Sequence, residues 1–138
     1  MEDLKYAGWI FTFDKRKTAL HYRYGSGLGA CSCPDCTNYR ENTGNLRTEL
    51  KTFLSALGID ISKPEELWVC SENNAQNTVE YFAYYSVSGI ALSDTDDELM
   101  IGSVLVTPGK SCNTYLSEPY FILELSGLWL PWTVENNA

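Results

Sequence analysis

Three of the five cysteines in this 138-residue chain, Cys31, Cys33 and Cys36, lie within six consecutive positions. Thiolates are good zinc ligands, and these short spacers let three sulfur atoms reach one ion in a tetrahedral arrangement. Pro34 lies inside the cluster and restricts the backbone before any metal binds. The spacing therefore predicts a metal site, and zinc is the cofactor that it favours.

A structural zinc site has four protein ligands, and the cluster supplies three of them. The chain offers three candidates for the fourth ligand: His21, Cys70 and Cys112. His21 is the nearest in sequence, ten positions before Cys31 and on the other side of a glycine-rich stretch. The predicted metal ligands are therefore Cys31, Cys33, Cys36 and His21.

Two other interpretations of the cysteines stay open. Cys33 and Cys36 have the C-x-x-C spacing of dithiol redox sites, and a helix beginning after them would favour a thiolate. Thioredoxin-like proteins place that motif in a parallel βαβ unit, which this sequence does not predict. The other interpretation is a turn with free thiols that pack against the first helical turn.

The elements before the cluster have the pattern of a β-hairpin. Apolar and polar residues alternate over residues 6–13 and again over residues 20–24, on either side of a charged turn at residues 14–17. Period-two alternation on both sides of a polar turn predicts two paired strands. On this prediction His21 points away from the apolar face of its strand and lies at the surface.

The elements after the cluster predict one amphipathic helix. Asn38 and Glu41 form a capping-box-like pair, Gly44 weakens the first turn, and Gly58 ends the helix. Apolar residues at helical spacing form its buried stripe: Tyr39, Leu46, Leu50, Phe53, Leu54 and Leu57. Such a stripe cannot be buried by the helix alone, so we expect the helix to pack on a sheet.

The rest of the chain predicts strands at residues 67–70, 78–92, 99–107 and 120–130. In residues 78–92, Phe82 and Tyr84 lie on one face, and the other face has five residues: Val79, Tyr81, Ala83, Tyr85 and Val87. The predicted fold is a single α+β domain over residues 1–138. It has a mostly antiparallel sheet of about five to seven strands with one main helix packed on one face.

Charge and composition limit the partners. The net charge is −8 and the isoelectric point is near 4.5, so the field of the protein repels phosphate backbones and predicts no nucleic-acid partner. No apolar run has the roughly 18 residues of a membrane span, and residues 1–5 do not resemble a signal peptide. The odd number of cysteines favours a reducing compartment, so we expect a cytoplasmic protein without a membrane partner.

The sequence lacks the motifs of common enzymes. It has one histidine and neither G-x-S-x-G nor H-E-x-x-H, which excludes serine hydrolases of the α/β type and zincins. A Cys–His pair that uses His21 is the remaining nucleophilic arrangement. We assign no catalytic residue and no nucleotide-binding loop, and we expect a protein that is not an enzyme.

One stretch of the chain resembles a group of small bacterial proteins. The stretch is C-x-C-x-x-C-x-N-Y from Cys31 to Tyr39, followed by an amphipathic helix that ends in Leu57-Gly58-Ile59-Asp60 with Lys63-Pro64 after it. These proteins have a C-x-C-x-x-C-x-N-[FY] segment at the same place. The resemblance implies a bacterial cytosolic context and supplies no catalytic residue.

Two functions follow as hypotheses. The first is a non-enzymatic domain that binds another protein with a basic surface, because an acidic, aromatic-rich domain suits such a partner. Neutralising a toxin nuclease, as bacterial immunity proteins do, is one such role, and Trp129 and Trp132 are candidate anchors. The alternative is a zinc-binding protein with a structural or thiol-dependent site at Cys31, Cys33 and Cys36.

Overall fold

The computed structural model describes residues 1–24, 31–112 and 114–134. In these ranges the chain forms seven strands, three α-helices and one 3-10 turn. In chain order they are β1 (Glu2–Tyr6), β2 (Trp9–Phe13), α1 (Lys15–Tyr24), α2 (Pro34–Asn42), the 3-10 turn (Thr43–Asn45), α3 (Thr48–Ala56), β3 (Glu66–Asn73), β4 (Thr78–Ser93), β5 (Leu99–Ile101), β6 (Val104–Gly109) and β7 (Tyr120–Pro131).

All strand pairs are antiparallel, and β4 is the central strand. The sheet order is β1-β2-β4-β7-β6-β5, and β3 also pairs with β4. On one edge, β4 pairs with β7 from Thr78 to Ser88. On the other edge, its first part pairs with β3 and its last part pairs with β2. The α+β class and the antiparallel sheet agree with the prediction.

Helix α1 fills the gap between β3 and β2 along the edge of β4. The Tyr22 hydroxyl donates to the Ser86 carbonyl at 2.8 Å, and the Ser88 amide donates to Thr18 Oγ1 at 3.0 Å. The Asp14 amide donates to the Ser88 carbonyl at 2.9 Å. Buried backbone groups need such partners, so side chains of a helix replace a missing strand here.

The prediction of a strand at residues 20–24 is wrong, because these residues belong to α1. The Asp14 carboxylate accepts a hydrogen bond from the Lys17 amide at 2.9 Å and so begins the helix. β2 pairs instead with β1 through a turn at Ala7 and Gly8. The buried residues of α1, which are Thr18, His21 and Tyr22, have helical spacing. Two of them, Thr18 and His21, have strongly polar side chains.

The prediction of one main helix is also wrong, because the helical part of the fold is three short helices. α2 begins at Pro34, earlier than expected, because Cys33 is its N-cap and Pro34 suits the first helical position. The 3-10 turn and the extended residues Leu46 and Arg47 then separate α2 from α3. Gly58 ends α3 with a φ of +92°, as predicted.

The sheet has an inner face and an outer face. On the inner face, β4 buries the predicted row Val79, Tyr81, Ala83, Tyr85 and Val87, which joins the core formed with α2 and α3. On the outer face, Phe82 and Tyr84 remain partly exposed. The helices in the described ranges lack the length and apolar content needed to cross a bilayer.

Candidate functional site

The thiol cluster, Cys31, Cys33 and Cys36, comes together in space. All three Sγ atoms lie within 4.8 Å of one another, and the Sγ atoms of Cys31 and Cys33 are 3.4 Å apart. Tetrahedral zinc with Zn–S bonds of about 2.3 Å places its sulfur ligands about 3.8 Å apart, which lies between these two distances. The cluster therefore has a geometry that can hold a metal ion with small side-chain adjustments.

The start of α2 positions these thiols. Cys33 is the N-cap, and its Sγ accepts a hydrogen bond from the Cys36 amide at 3.5 Å. Cys36 lies in the first turn and is buried, whereas Cys33 is exposed and Cys31 is half-buried. The N-terminal end of a helix favours negative charge, and solvent can reach the sulfur atoms of Cys31 and Cys33, whereas that of Cys36 is buried.

Two contacts fix the backbone of the loop. The Arg40 guanidinium donates to the Cys31 carbonyl, which closes the loop before α2 onto the helix itself. The Tyr81 hydroxyl donates to the Asp35 carbonyl at 2.7 Å and so attaches the first turn of α2 to the central strand. The thiols are thus held by the sheet and by α2 without depending on a metal.

Asn38 has a role that the capping-box prediction missed. Its side chain is fully buried and donates to the Pro131 carbonyl at 3.0 Å, and its Oδ1 accepts from the Thr133 amide at 2.8 Å. The next residue, Tyr39, is also buried, with its hydroxyl 2.5 Å from that of Tyr85. The sequence signal for this role was an asparagine next to an aromatic residue inside a helix. Asparagine is unfavourable in a helix interior unless its side-chain amide is hydrogen-bonded.

The thiols of the cluster have opposite pKa shifts. The pKa of Cys31 is lowered by the Cys33 backbone amide, by the neighbouring thiols and by the Arg40 charge. Burial, followed by the Cys33 and Cys31 sulfurs, raises the pKa of Cys36 to about 12. Metals bind thiolates, so an ion that binds all three sulfurs displaces the proton of Cys36.

His21 does not lie with the thiols. Its Nε2 contacts the Glu65 carboxylate and lies 3.1 Å from Ser86 Oγ, which itself donates to Glu65 at 2.6 Å. Thr114 Oγ1 donates to Ser86 Oγ at 3.1 Å. We call these four residues the histidine network. The expected surface position of His21 is wrong, because its side chain is 3% exposed.

The histidine network is not a catalytic triad. In a triad the two imidazole nitrogens contact different partners, the nucleophile and the acid. Here the hydroxyl of Ser86 and the carboxylate of Glu65 both lie at Nε2 of His21. The network satisfies buried polar groups of α1, β4 and the segment before β3, which is a structural role.

The other two candidate ligands also lie outside the thiol cluster. Cys70 is exposed, and its thiol donates to Glu80 Oε1 at 3.0 Å; burial and this hydrogen bond raise its pKa. Burial and the Glu66 carboxylate raise the pKa of Cys112 to about 12. Among the described residues, no histidine, aspartate or glutamate joins the three thiols within 4.8 Å.

The two tryptophans after Leu128 differ in position. Trp129 pairs with Glu80 on the outer face and is 45% exposed. Trp132 packs against the core, and its backbone exchanges two hydrogen bonds with Asn77. On the outer face the Trp68 ring contacts the rings of Phe82 and Tyr84.

The chain matches no protein-family model, no curated protein and no solved structure.

Proposed function

We propose that this chain is a non-enzymatic domain that binds a basic protein through the aromatic patch, defined as Trp68, Phe82 and Tyr84. The Trp68 ring centroid lies 5.6 Å from that of Phe82 and 5.0 Å from that of Tyr84. Trp68 is 39% exposed. This solvent-facing group of aromatic rings is the observation that carries the proposal, since clustered aromatic residues anchor protein interfaces.

The charge around the aromatic patch selects the partner. Residues 65–138 contain eleven Asp or Glu and one Lys or Arg, whereas residues 1–64 contain seven and nine. No Lys or Arg occurs in β3, β4, β5, β6 or β7. Burial and the neighbouring carboxylates of Glu124 and Glu66 raise the pKa of Tyr84. A basic surface is electrostatically complementary to this region and is attracted to it before contact.

The partner class that fits best is a protein that itself binds nucleic acid. Such proteins carry clustered Lys and Arg for phosphate contacts, and an acidic domain can cover that surface. Inhibition of a basic toxin nuclease in a bacterial cytosol is the form of this function that we propose.

Binding to the purified product of the neighbouring gene tests this proposal. We expect saturable binding that weakens as salt increases, because exposed charges are screened. Trp68→Ala should weaken binding at least about tenfold. Leu92→Ala is the matched control, since Leu92 is a 62% exposed apolar residue at the far end of β4. No binding, or equal affinity of W68A and the parent protein, contradicts the proposal.

A second candidate function is zinc binding at the thiol cluster. The three converging Sγ atoms support it, and thiolate ligands select zinc and other soft ions. Three protein ligands leave a fourth position for water or for an external ligand. A thiol-dependent role or exchange of the ion with another protein is therefore compatible with this site, whereas a closed structural site requires a fourth protein ligand.

Elemental analysis of protein purified without chelator tests the zinc site. We expect close to one equivalent of zinc and protection of three thiols that ends when chelator is added. Cys33→Ala should abolish both, whereas Cys70→Ala, which removes an exposed thiol outside the cluster, should change neither. Less than about a tenth of an equivalent, with all thiols freely reactive, ends this hypothesis.

A further inference from the structure

We propose that a cleft at the turn between β3 and β4 binds a guanidinium group. The cleft has a volume of about 290 Å³ and lies between that turn and the first turn of α2. Its lining includes seven residues with polar or aromatic side chains: Asp35, Glu72, Asn73, Asn74, Asn77, Thr78 and Trp132. We call it the hairpin cleft. It is separate from the aromatic patch, so this proposal goes beyond the proposed function.

The polar groups of the hairpin cleft favour a cation. The acidic residues Asp35 and Glu72 line the cleft, and no Lys or Arg is among the described residues that line it. Asn77 uses its amide nitrogen to donate to the Trp132 carbonyl at 3.0 Å, which leaves its Oδ1 as an acceptor. Carboxylate and amide oxygens accept the N–H groups of a cation, and charge-assisted hydrogen bonds of this kind are strong.

The shape of the lining favours guanidinium over ammonium. Guanidinium is planar, has five N–H donors, and stacks on aromatic rings, whereas ammonium is a strongly hydrated point charge. Trp132 supplies the ring, and tryptophan is the best aromatic partner for cations. The volume is that of a subsite for one side-chain head group and is at the lower limit for a complete small ligand.

The hairpin cleft is formed before any ligand binds. The Tyr81 hydroxyl fixes the Asp35 backbone, and the Trp132 amide donates to the Asn77 carbonyl at 2.9 Å. Asn77 has a φ of +53°, a conformation that asparagine tolerates better than most residues. Because both walls are held by hydrogen bonds to the sheet, binding requires little ordering of the protein.

Guanidinium can come from a free small molecule or from an arginine residue of a protein. Isothermal titration with n-butylguanidinium and with the peptide Gly-Gly-Arg-Gly-Gly distinguishes these sources. We expect both to bind saturably and to shift the Trp132 indole signal in NMR spectra. Tighter binding of the peptide assigns the cleft to a protein partner, and equal or tighter binding of n-butylguanidinium assigns it to a small molecule.

Variants of the full chain test the residues. Glu72→Gln and Asp35→Asn should each weaken binding of the tighter probe at least about threefold, because each removes one charge and keeps the side-chain shape. Glu98→Gln is the matched control in the acidic turn before β5, and it should change affinity less than twofold. Two results overturn the proposal: no saturable binding of either probe up to about 10 mM, or equal affinity for the corresponding lysine peptide.

Discussion

The thiol cluster and the histidine network are both groups of polar side chains, but they differ in what remains for a ligand to do. His21, Glu65 and Ser86 are buried and bond to one another. The thiols are partly open to solvent and hold three sulfur atoms around a common point. The polar groups of the histidine network form their hydrogen bonds with one another and so stabilise the fold. The sulfur atoms of the thiol cluster converge and can still bind a metal ion.

The largest effect on stability should come from disrupting the histidine network. We expect Glu65→Ala to lower the free energy of unfolding by about 3–5 kcal/mol, because His21 and Ser86 lose a buried charged partner. Urea unfolding followed by tryptophan fluorescence measures this. Glu66→Ala, which alters the exposed neighbour, should change stability by no more than about 0.5 kcal/mol. If the two variants unfold alike, the histidine network is not a structural unit.

Substitution of Asn38, which attaches α2 and its thiols to the end of β7, should lower stability nearly as much. We expect Asn38→Ala to cost about 2–3 kcal/mol, because the Pro131 carbonyl and the Thr133 amide lose their partner. Zinc affinity should fall with it, since α2 then keeps only the hydrogen bond from Asn42 to Thr133 Oγ1 among the side-chain bonds described between it and the segment that follows β7. Asn45→Ala, at an exposed position in the 3-10 turn, is the control for both measurements. An Asn38→Ala protein of unchanged stability would show that the thiol loop is held by other contacts.

Alkaline pH should lower stability through Tyr81, whose hydroxyl attaches α2 to the central strand. Burial raises the pKa of Tyr81 from 10.0 to about 12, so the folded state holds this proton more tightly than the unfolded state does. The stabilisation is complete below pH 9 and is lost as pH rises towards 12. Between pH 8 and pH 11 Tyr81 should account for a loss of about 1 kcal/mol.

Urea unfolding at several pH values checks this alkaline effect. Tyr81→Phe should reduce the fall in the free energy of unfolding between pH 8 and pH 11 by the loss assigned to Tyr81. Tyr115→Phe, at a residue that is 84% exposed, should leave that fall unchanged. A decline of the same slope in the Tyr81→Phe protein would contradict the assignment.

The smallest effect on stability should come from a substitution in the thiol cluster. Cys33→Ser in metal-free protein should change the free energy of unfolding by less than about 0.5 kcal/mol, because Cys33 is exposed. The same variant should lose the rise in Tm that zinc gives the parent protein, since an ion stabilises only the state that binds it. Differential scanning calorimetry with zinc and with chelator measures both. A large loss of stability without metal would make Cys33 a structural residue.

The sequence predicted the thiol cluster because its members are close along the chain, and it predicted the inner row of β4 because that row alternates strictly. It could not place His21, whose partners Glu65 and Ser86 lie 44 and 65 positions away. Pairings of that length depend on the sheet topology, which local patterns do not encode.

The misassigned strand has a local cause. In residues 20–24, Leu20, Tyr22 and Tyr24 alternate as in a strand, yet Leu20 is 41% exposed and Tyr24 is 79% exposed. The residues of α1 that are buried include the polar Thr18 and His21, whose side chains bond to β4. A helix that packs through hydrogen bonds carries a weak apolar stripe, and hydrophobic periodicity therefore misses it.

The central position of β4 has a consequence for synthesis of the chain on the ribosome. One edge of β4 pairs with β2 and β3, which are made before it. Within the described residues the other edge pairs with β7, which begins about thirty residues later. Until β7 emerges, the nascent chain exposes an unpaired strand edge of the kind that promotes aggregation. The core is therefore closed only after β7 has been made and has paired with β4.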